Sequence, residues 1–158
     1  MSDDVALLRA EIADDRAVWR RLVEELRGVD PTSGDAGDVA RVVLALHHGY
    51  SAVEAIVERV VRFVHGDIPF GPDWHRRLME DARIEVRGVR PALISRSAML
   101  DLAELRSFRH VVRHAYAAEY DPERLAHLRA RALAVAPTLE SDLDALDAWL
   151  AASDGAPE

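Results

Sequence analysis

The sequence predicts an all-α protein, a single up-and-down bundle of about five helices. Three observations point there. Apolar residues recur at three- and four-residue spacing through every long segment, no segment alternates with period two, and clusters of Gly, Pro, Asp and Ser cut the chain into helix-sized pieces.

The elements follow in order. Residues 3–27 form an amphipathic helix, with Val5, Leu8, Ile12, Trp19, Leu22, Val23 and Leu26 on one stripe. Gly28 ends it, and VDPTSGDAGD is a loop of turn formers. Asp38 is the expected N-cap of a second helix through about Val64. Its many β-branched residues would suit a strand, but their spacing and the length of the run favour a buried helix. HGDIPFGPD breaks the chain again, and Pro72 suits the first turn of a short helix from Asp73 to Ile84. After RGVRP, Ser97 is the expected cap of a helix over Ala98–Ala118. Asp121-Pro122 opens a last helical region, which Pro137 is expected to divide. The segments 3–27 and 38–64 are expected to be the two longest helices and to pack as an antiparallel hairpin. Residues 1–152 make one domain, and 153–158 read as a disordered tail.

Composition narrows the function classes. There is no cysteine, which excludes disulfides, thiolate catalysis and cysteine zinc sites. No apolar run reaches the length of a membrane span, and the acidic N-terminus lacks the basic region of a signal peptide, so a cytoplasmic location is expected. A net charge of −8 argues against a general nucleic-acid binder and against DNA as a partner. That average hides an asymmetry: Arg76 to Arg113 holds nine Arg against five acids, while the remainder holds eleven Arg against twenty-three. A local basic segment in an acidic protein can hold a phosphodiester at one place.

The chemistry-bearing stretch is LRSFRHVVRHAYAAEYDPERL, residues 105–125. On a regular helix Leu105, Phe108, Val112 and Ala115 form the core stripe. Arg109 and Tyr116 lie at its edge with Arg113 just beyond, and His110 and His114 point away from it. His110 and His114 have the spacing of a two-histidine metal pair, but no carboxylate shares their face, so no metal or other cofactor is expected. Phe70, Trp74 and Trp19 read as core or hinge anchors. His75, Arg76 and Arg77 either border a cleft or form a solvated face.

Arg109-x4-His114-x-Tyr116 matches the Rx4HxY motif of the HepT toxins in the HEPN superfamily. GYSAVEAIVERV (49–60), PFGPDWHRRLM (69–79), GVRPALIS (88–95) and FRHVVRHAYAAEYDPERL (108–125) resemble successive blocks of HepT-like proteins, and the resemblance covers roughly residues 38–130. It implies an HEPN-like homodimer, the toxin of a type VII-like toxin–antitoxin system, cutting RNA without metal. Histidine transfers protons near neutral pH, so His114 suits activation of the RNA 2′-OH, and the planar guanidinium of Arg109 suits the phosphate oxygens. Arg113 and His110 are candidates for further phosphate contacts. Residues five apart diverge by about 140° on a helix, so one straight helix does not aim Arg109 and His114 at one phosphorus. Either the helix distorts or two subunits share a cleft, and the resemblance implies the second. It also implies a partner, an MNT-type nucleotidyltransferase antitoxin that attaches AMP to Tyr116. The alternative is a non-catalytic helical subunit that binds such a nucleotidyltransferase.

Overall fold

The computed structural model describes residues 2–68, 70–114 and 120–154; at Ser2, Arg113, His114 and Asp154 it describes the backbone alone. Five helices carry the fold: α1 (Ser2–Arg27), α2 (Ala36–His65), α3 (Trp74–Ala82), α4 (Arg96–His114) and α5 (Pro122–Asp154). Among the described residues there is no strand, only an isolated antiparallel bridge between Val86 and Arg90. None of the described helices is long and apolar enough to cross a membrane.

The all-α reading therefore holds, with local corrections. The cap of α2 is Asp35, not Asp38. Asp35 has extended backbone and its carboxylate accepts the Gly37 N–H at 2.7 Å, while Asp38 sits in the first turn, where its charge meets the positive helix end. Similarly, α4 begins at Arg96 because Ser95, not Ser97, takes the capping place, its hydroxyl accepting the Ala98 N–H. The end expected at Ala118 falls outside the described residues. The short helix spans Trp74–Ala82, within the expected 73–84. The largest difference is α5, which runs unbroken through Pro137 and, at 33 residues, is the longest helix. Proline removes one backbone hydrogen bond, yet Val135, Ala136, Leu139 and Leu143 around it are all buried, and that burial outweighs the loss.

Ion pairs fix the directions. Arg41–Glu25 at one end and Arg59–Asp15 and Arg59–Glu11 at the other set α1 antiparallel to α2, as expected of the hairpin. Gly49 lets the two helices come close: a Cβ there would sit 3.4 Å from the ring of the buried Trp19. α5 returns antiparallel to α1 through Arg9–Asp147 and through Arg16 and Arg20, which share Glu140. α4 runs antiparallel to α5, with Arg131 on Asp101 and Asp142 accepting the Ser95 N–H at 2.8 Å. The valine-rich face of α2 is the centre of the core: Val42, Val53, Ile56, Val57 and Val60 are buried, each contributing roughly 1.5–3 kcal/mol relative to exposure.

The Glu140 cluster makes the fold acid-sensitive. Burial opposes ionisation of its carboxyl, but hydrogen bonds from Arg20 and Arg16 outweigh burial and hold it below its ordinary value of 4.5. A depressed folded-state value means this stabilisation is present above that range and is lost as pH falls through it. The urea midpoint of the wild type should drop between pH 5 and the folded carboxyl's lower titration, and Glu140→Gln should flatten that drop; parallel pH profiles for the two proteins would remove Glu140 as its source.

Candidate functional site

Helix α4 packs Leu105 and Phe108 into the core with Val112 half-buried, which turns Arg109 to the edge of the stripe as the spacing requires. There it meets two residues from other helices. Arg109 Nη1 donates to Glu54 Oε1 at 2.7 Å, and His75 Nδ1 lies 2.7 Å from the same oxygen. A carboxylate oxygen accepts, so Nδ1 carries the proton and donates. The two donor nitrogens are 3.5 Å apart.

The centre of this arrangement is a buried charge. Glu54 stands on the inner face of α2 with its side chain 5% exposed, while those of Arg109 and His75 are 17% and 26% exposed. Carboxylates are rarely taken so far from water unless paired, and Glu54 is paired from both α3 and α4. Its second oxygen, Oε2, is buried without a hydrogen-bond partner among the described residues, as is Arg109 Nε. One turn before Glu54, the buried ring of Tyr50 lies 6.0 Å from Arg109 Cζ. Burial, and then the neighbouring Glu54 charge, push the Tyr50 phenol well above its ordinary value, so it is a neutral hydroxyl and no base.

Local sequence explains how His75 reaches Glu54. Gly71 takes a φ of +99°, a conformation side chains disfavour, and its carbonyl accepts the Trp74 N–H at 3.2 Å, so the chain turns directly into α3. Trp74 packs on the core and stacks on the imidazole at 3.5 Å between ring centroids. At the other end of α3 the buried Arg90 donates to the carbonyls of Asp81, Ile84 and Pro91, and its Nε contacts His65, which ties α3 to the end of α2.

A cleft of about 340 Å³ opens between α3 and α4, lined among others by His75, Arg76, Arg106, Arg109 and His110. Three of the eight lining residues are arginines and one, Asp73, is acidic. Arg76 pairs with Glu80 and Asp73, whereas Arg106 has no ion-pair partner among the described residues. The cleft can therefore receive an anion beside Arg109.

The expected site residues divide accordingly. Arg109 and His110 come together on the cleft wall. For Arg113 and His114 the structure places only the backbone, on the last turn of α4, and Tyr116 lies outside the described residues. Of the flanking segment, His75 and Arg76 line the cleft and Arg77 is exposed. Phe70 is no core anchor: at 77% exposure it precedes the Gly71 turn and points to solvent. Sequence reasoning missed Glu54 and Arg90. The signal for Glu54 was present, since Tyr50, Val53 and Val57 put position 54 on the apolar face of its helix, and a lone charge there requires partners.

The described part of the site is the arginine of the Rx4HxY sequence motif, set on the wall of a cleft in an all-helical bundle. A family model of HepT-like proteins matches residues 41–150, and the chain belongs to that family of HEPN-type toxin–antitoxin components. The match takes in Glu54, His75 and the whole motif. No curated protein and no solved structure gives a significant match.

The shared carboxylate makes Arg109 a structural residue as well. Arg109→Ala leaves Glu54 buried with one partner and should cost about 3 kcal/mol. In a Glu54→Gln background the same change should cost less than half as much, because no charge is then stranded. A double-mutant cycle read by urea unfolding checks this; additive costs would mean that the ion pair contributes nothing.

Proposed function

We propose that this HepT-like protein is the toxin of a type VII-like toxin–antitoxin pair, a cytoplasmic, metal-independent endoribonuclease that works as a homodimer and is silenced by AMP attached to Tyr116. The observation that carries the reading is Arg109, held by Glu54 on the wall of a basic cleft with its motif histidine on the same helix. Arg109 uses Nη1 for Glu54, and its Nη2 has no hydrogen-bond partner among the described residues, leaving a donor for a phosphate oxygen.

In the proposed reaction His114 takes the proton of the 2′-OH, the 2′-oxygen attacks phosphorus, and Arg109 neutralises the charge that builds on the phosphorane. Arg113 and His110 add phosphate contacts. α4 is regular helix through His114, so positions 109 and 114 of one chain lie about 140° apart around its axis. That supports a composite site, in which Arg109 of one copy meets His114 of the second across a two-fold axis. The nucleotidyltransferase antitoxin acts on the same cleft: AMP on Tyr116 brings a negative phosphate to the arginines that would otherwise hold RNA.

A non-catalytic subunit also gives Arg109 a purpose, since it neutralises Glu54. Cleavage separates the two readings. Arg109→Lys retains the buried ion pair but not the planar fork, and His114→Ala removes only the proton-transfer group. Each should reduce RNA cleavage by about 10²-fold or more without unfolding the bundle. The wild type should remain active in EDTA and leave 2′,3′-cyclic phosphate ends. Wild-type activity that vanishes in EDTA and returns with a divalent cation would overturn the metal-independent mechanism.

Control is tested apart from catalysis. With the cognate nucleotidyltransferase and ATP, intact-mass spectrometry should show AMP added to the wild type and none to Tyr116→Phe, with cleavage lost only in the modified protein. An unmodified wild type after treatment with an active antitoxin rejects the switch.

A further inference from the structure

The ribonuclease reading leaves one proton without a carrier. Attack by the 2′-oxygen forms the cyclic phosphate only if the bond from phosphorus to the 5′-oxygen breaks, and that oxygen must gain a proton to leave as a hydroxyl. His114 accounts for the proton removed at the 2′-OH. A second group must account for the one delivered at the 5′-oxygen.

We propose that His75 is this second proton-transfer residue, delivering a proton from Nε2 to the leaving 5′-oxygen, and that Glu54 is its positioning residue. The inference rests on the ribonuclease reading above. Its geometry comes from three contacts. Glu54 Oε1 accepts a hydrogen bond from Nδ1–H at 2.7 Å, which leaves Nε2 as the nitrogen that exchanges a proton; the proposed step starts from the imidazolium, with Nε2 protonated as well. The Trp74 ring stacked at 3.5 Å holds the imidazole plane. The same carboxylate oxygen holds Arg109 Nη1, so the phosphate ligand and the proton donor are set by one anchor, with the two nitrogens that face it, Nη1 and Nδ1, 3.5 Å apart. A carboxylate that orients an imidazole through one nitrogen while the other does chemistry is a recurrent device of proton-transfer sites.

Placement also favours the leaving-group side. In-line displacement puts the attacking and leaving oxygens on opposite sides of phosphorus, so base and acid approach from different directions. His75 reaches the cleft from α3 of the copy that supplies Arg109, whereas the composite site proposed above brings His114 from the second copy. The charged and titratable groups around His75 are Glu54 and Tyr50 on α2, Arg106, Arg109 and His110 on α4, and Asp73 and Arg76 beside it. The nearest carboxylate among these, Glu54, already engages Nδ1, and Nε2 has no hydrogen-bond partner among the described residues.

The balance is complete without any co-reactant. The 2′-O–P bond forms, the P–O5′ bond breaks, the 2′-OH proton goes to His114, and the proton on His75 Nε2 goes to the 5′-oxygen. The products are a 2′,3′-cyclic phosphate and a 5′-hydroxyl.

The test uses two versions of one short oligoribonucleotide, cut at a mapped position. In one the linkage there is ordinary; in the other its 5′-bridging oxygen is sulfur, which leaves as a thiolate and needs no proton. His75→Asn is the variant, because the Asn amide still donates to Glu54 but has no titratable proton to give to a leaving oxygen. It should slow cleavage of the ordinary linkage by about 10²-fold or more and that of the sulfur linkage by only a few-fold. Glu54→Gln should show the same selectivity to a smaller degree, and His114→Ala should slow both. Equal losses on the two linkages in His75→Asn, with an unchanged urea midpoint, would make His75 a phosphate ligand or a structural residue and overturn the proposal. Undiminished cleavage of the ordinary linkage overturns it too. A wild type that cleaves neither linkage rejects the ribonuclease reading itself, and this inference with it.

Discussion

One negative charge is buried where three helices meet, and the arrangement of the site follows from it. A carboxylate buried beside Tyr50, Val53 and Val57 must have donors brought to it. Arg109 from α4 and His75 from α3 supply them at 2.7 Å each. The requirement fixes the rotation of α4 about its axis and the depth at which α3 sits. The apolar core alone tolerates small shifts of either helix; the carboxylate does not, because hydrogen bonds fail over a few tenths of an ångström. Structural stability and the aim of the functional groups are thus set by the same contact.

The remainder of the bundle holds α2 still. Its inner face lies against α1, with Gly49 letting Trp19 come close, and the Asp35 cap and the Gly66 terminus define its ends. Arg90 performs a comparable service for the loop after α3. Its guanidinium donates to three carbonyls around the end of α3, adding to the Val86–Arg90 bridge and the backbone hydrogen bonds that fold the loop. All twenty basic residues counted as Lys or Arg are arginine, and the fork geometry that suits a phosphate also suits these bifurcated internal roles.

Much of this was legible beforehand. Helical periodicity gave the five elements, since each buries an apolar stripe against the others, and it set Arg109 at the edge of the core. The Rx4HxY spacing carried the family. What the chain alone did not reveal were contacts between residues far apart in sequence: Glu54 lies 55 positions from Arg109 and 21 from His75. Periodicity describes one helix at a time and says nothing of which faces meet. Pro137 misled for a related reason, because a local rule about proline was overridden by tertiary burial along α5. Phe70 misled because a large aromatic is assigned to the core by type, and only the Gly71 turn shows that it faces out.

The ladder between α1 and α5 has a consequence for how the chain assembles. Arg9 and Asp147 are 138 positions apart, whereas Arg41 and Glu25 in the first hairpin are 16 apart. Closing the longer loop costs about 2 kcal/mol more chain entropy, and the apolar surface of α1 waits for it. As the polypeptide is synthesised, α1 and α2 can pair at once, but α4 lacks its second wall until α5 has been made and has folded back. Arg109 can reach Glu54 as soon as α4 lies on α2, but the helix that holds α4 in that place is made only afterwards.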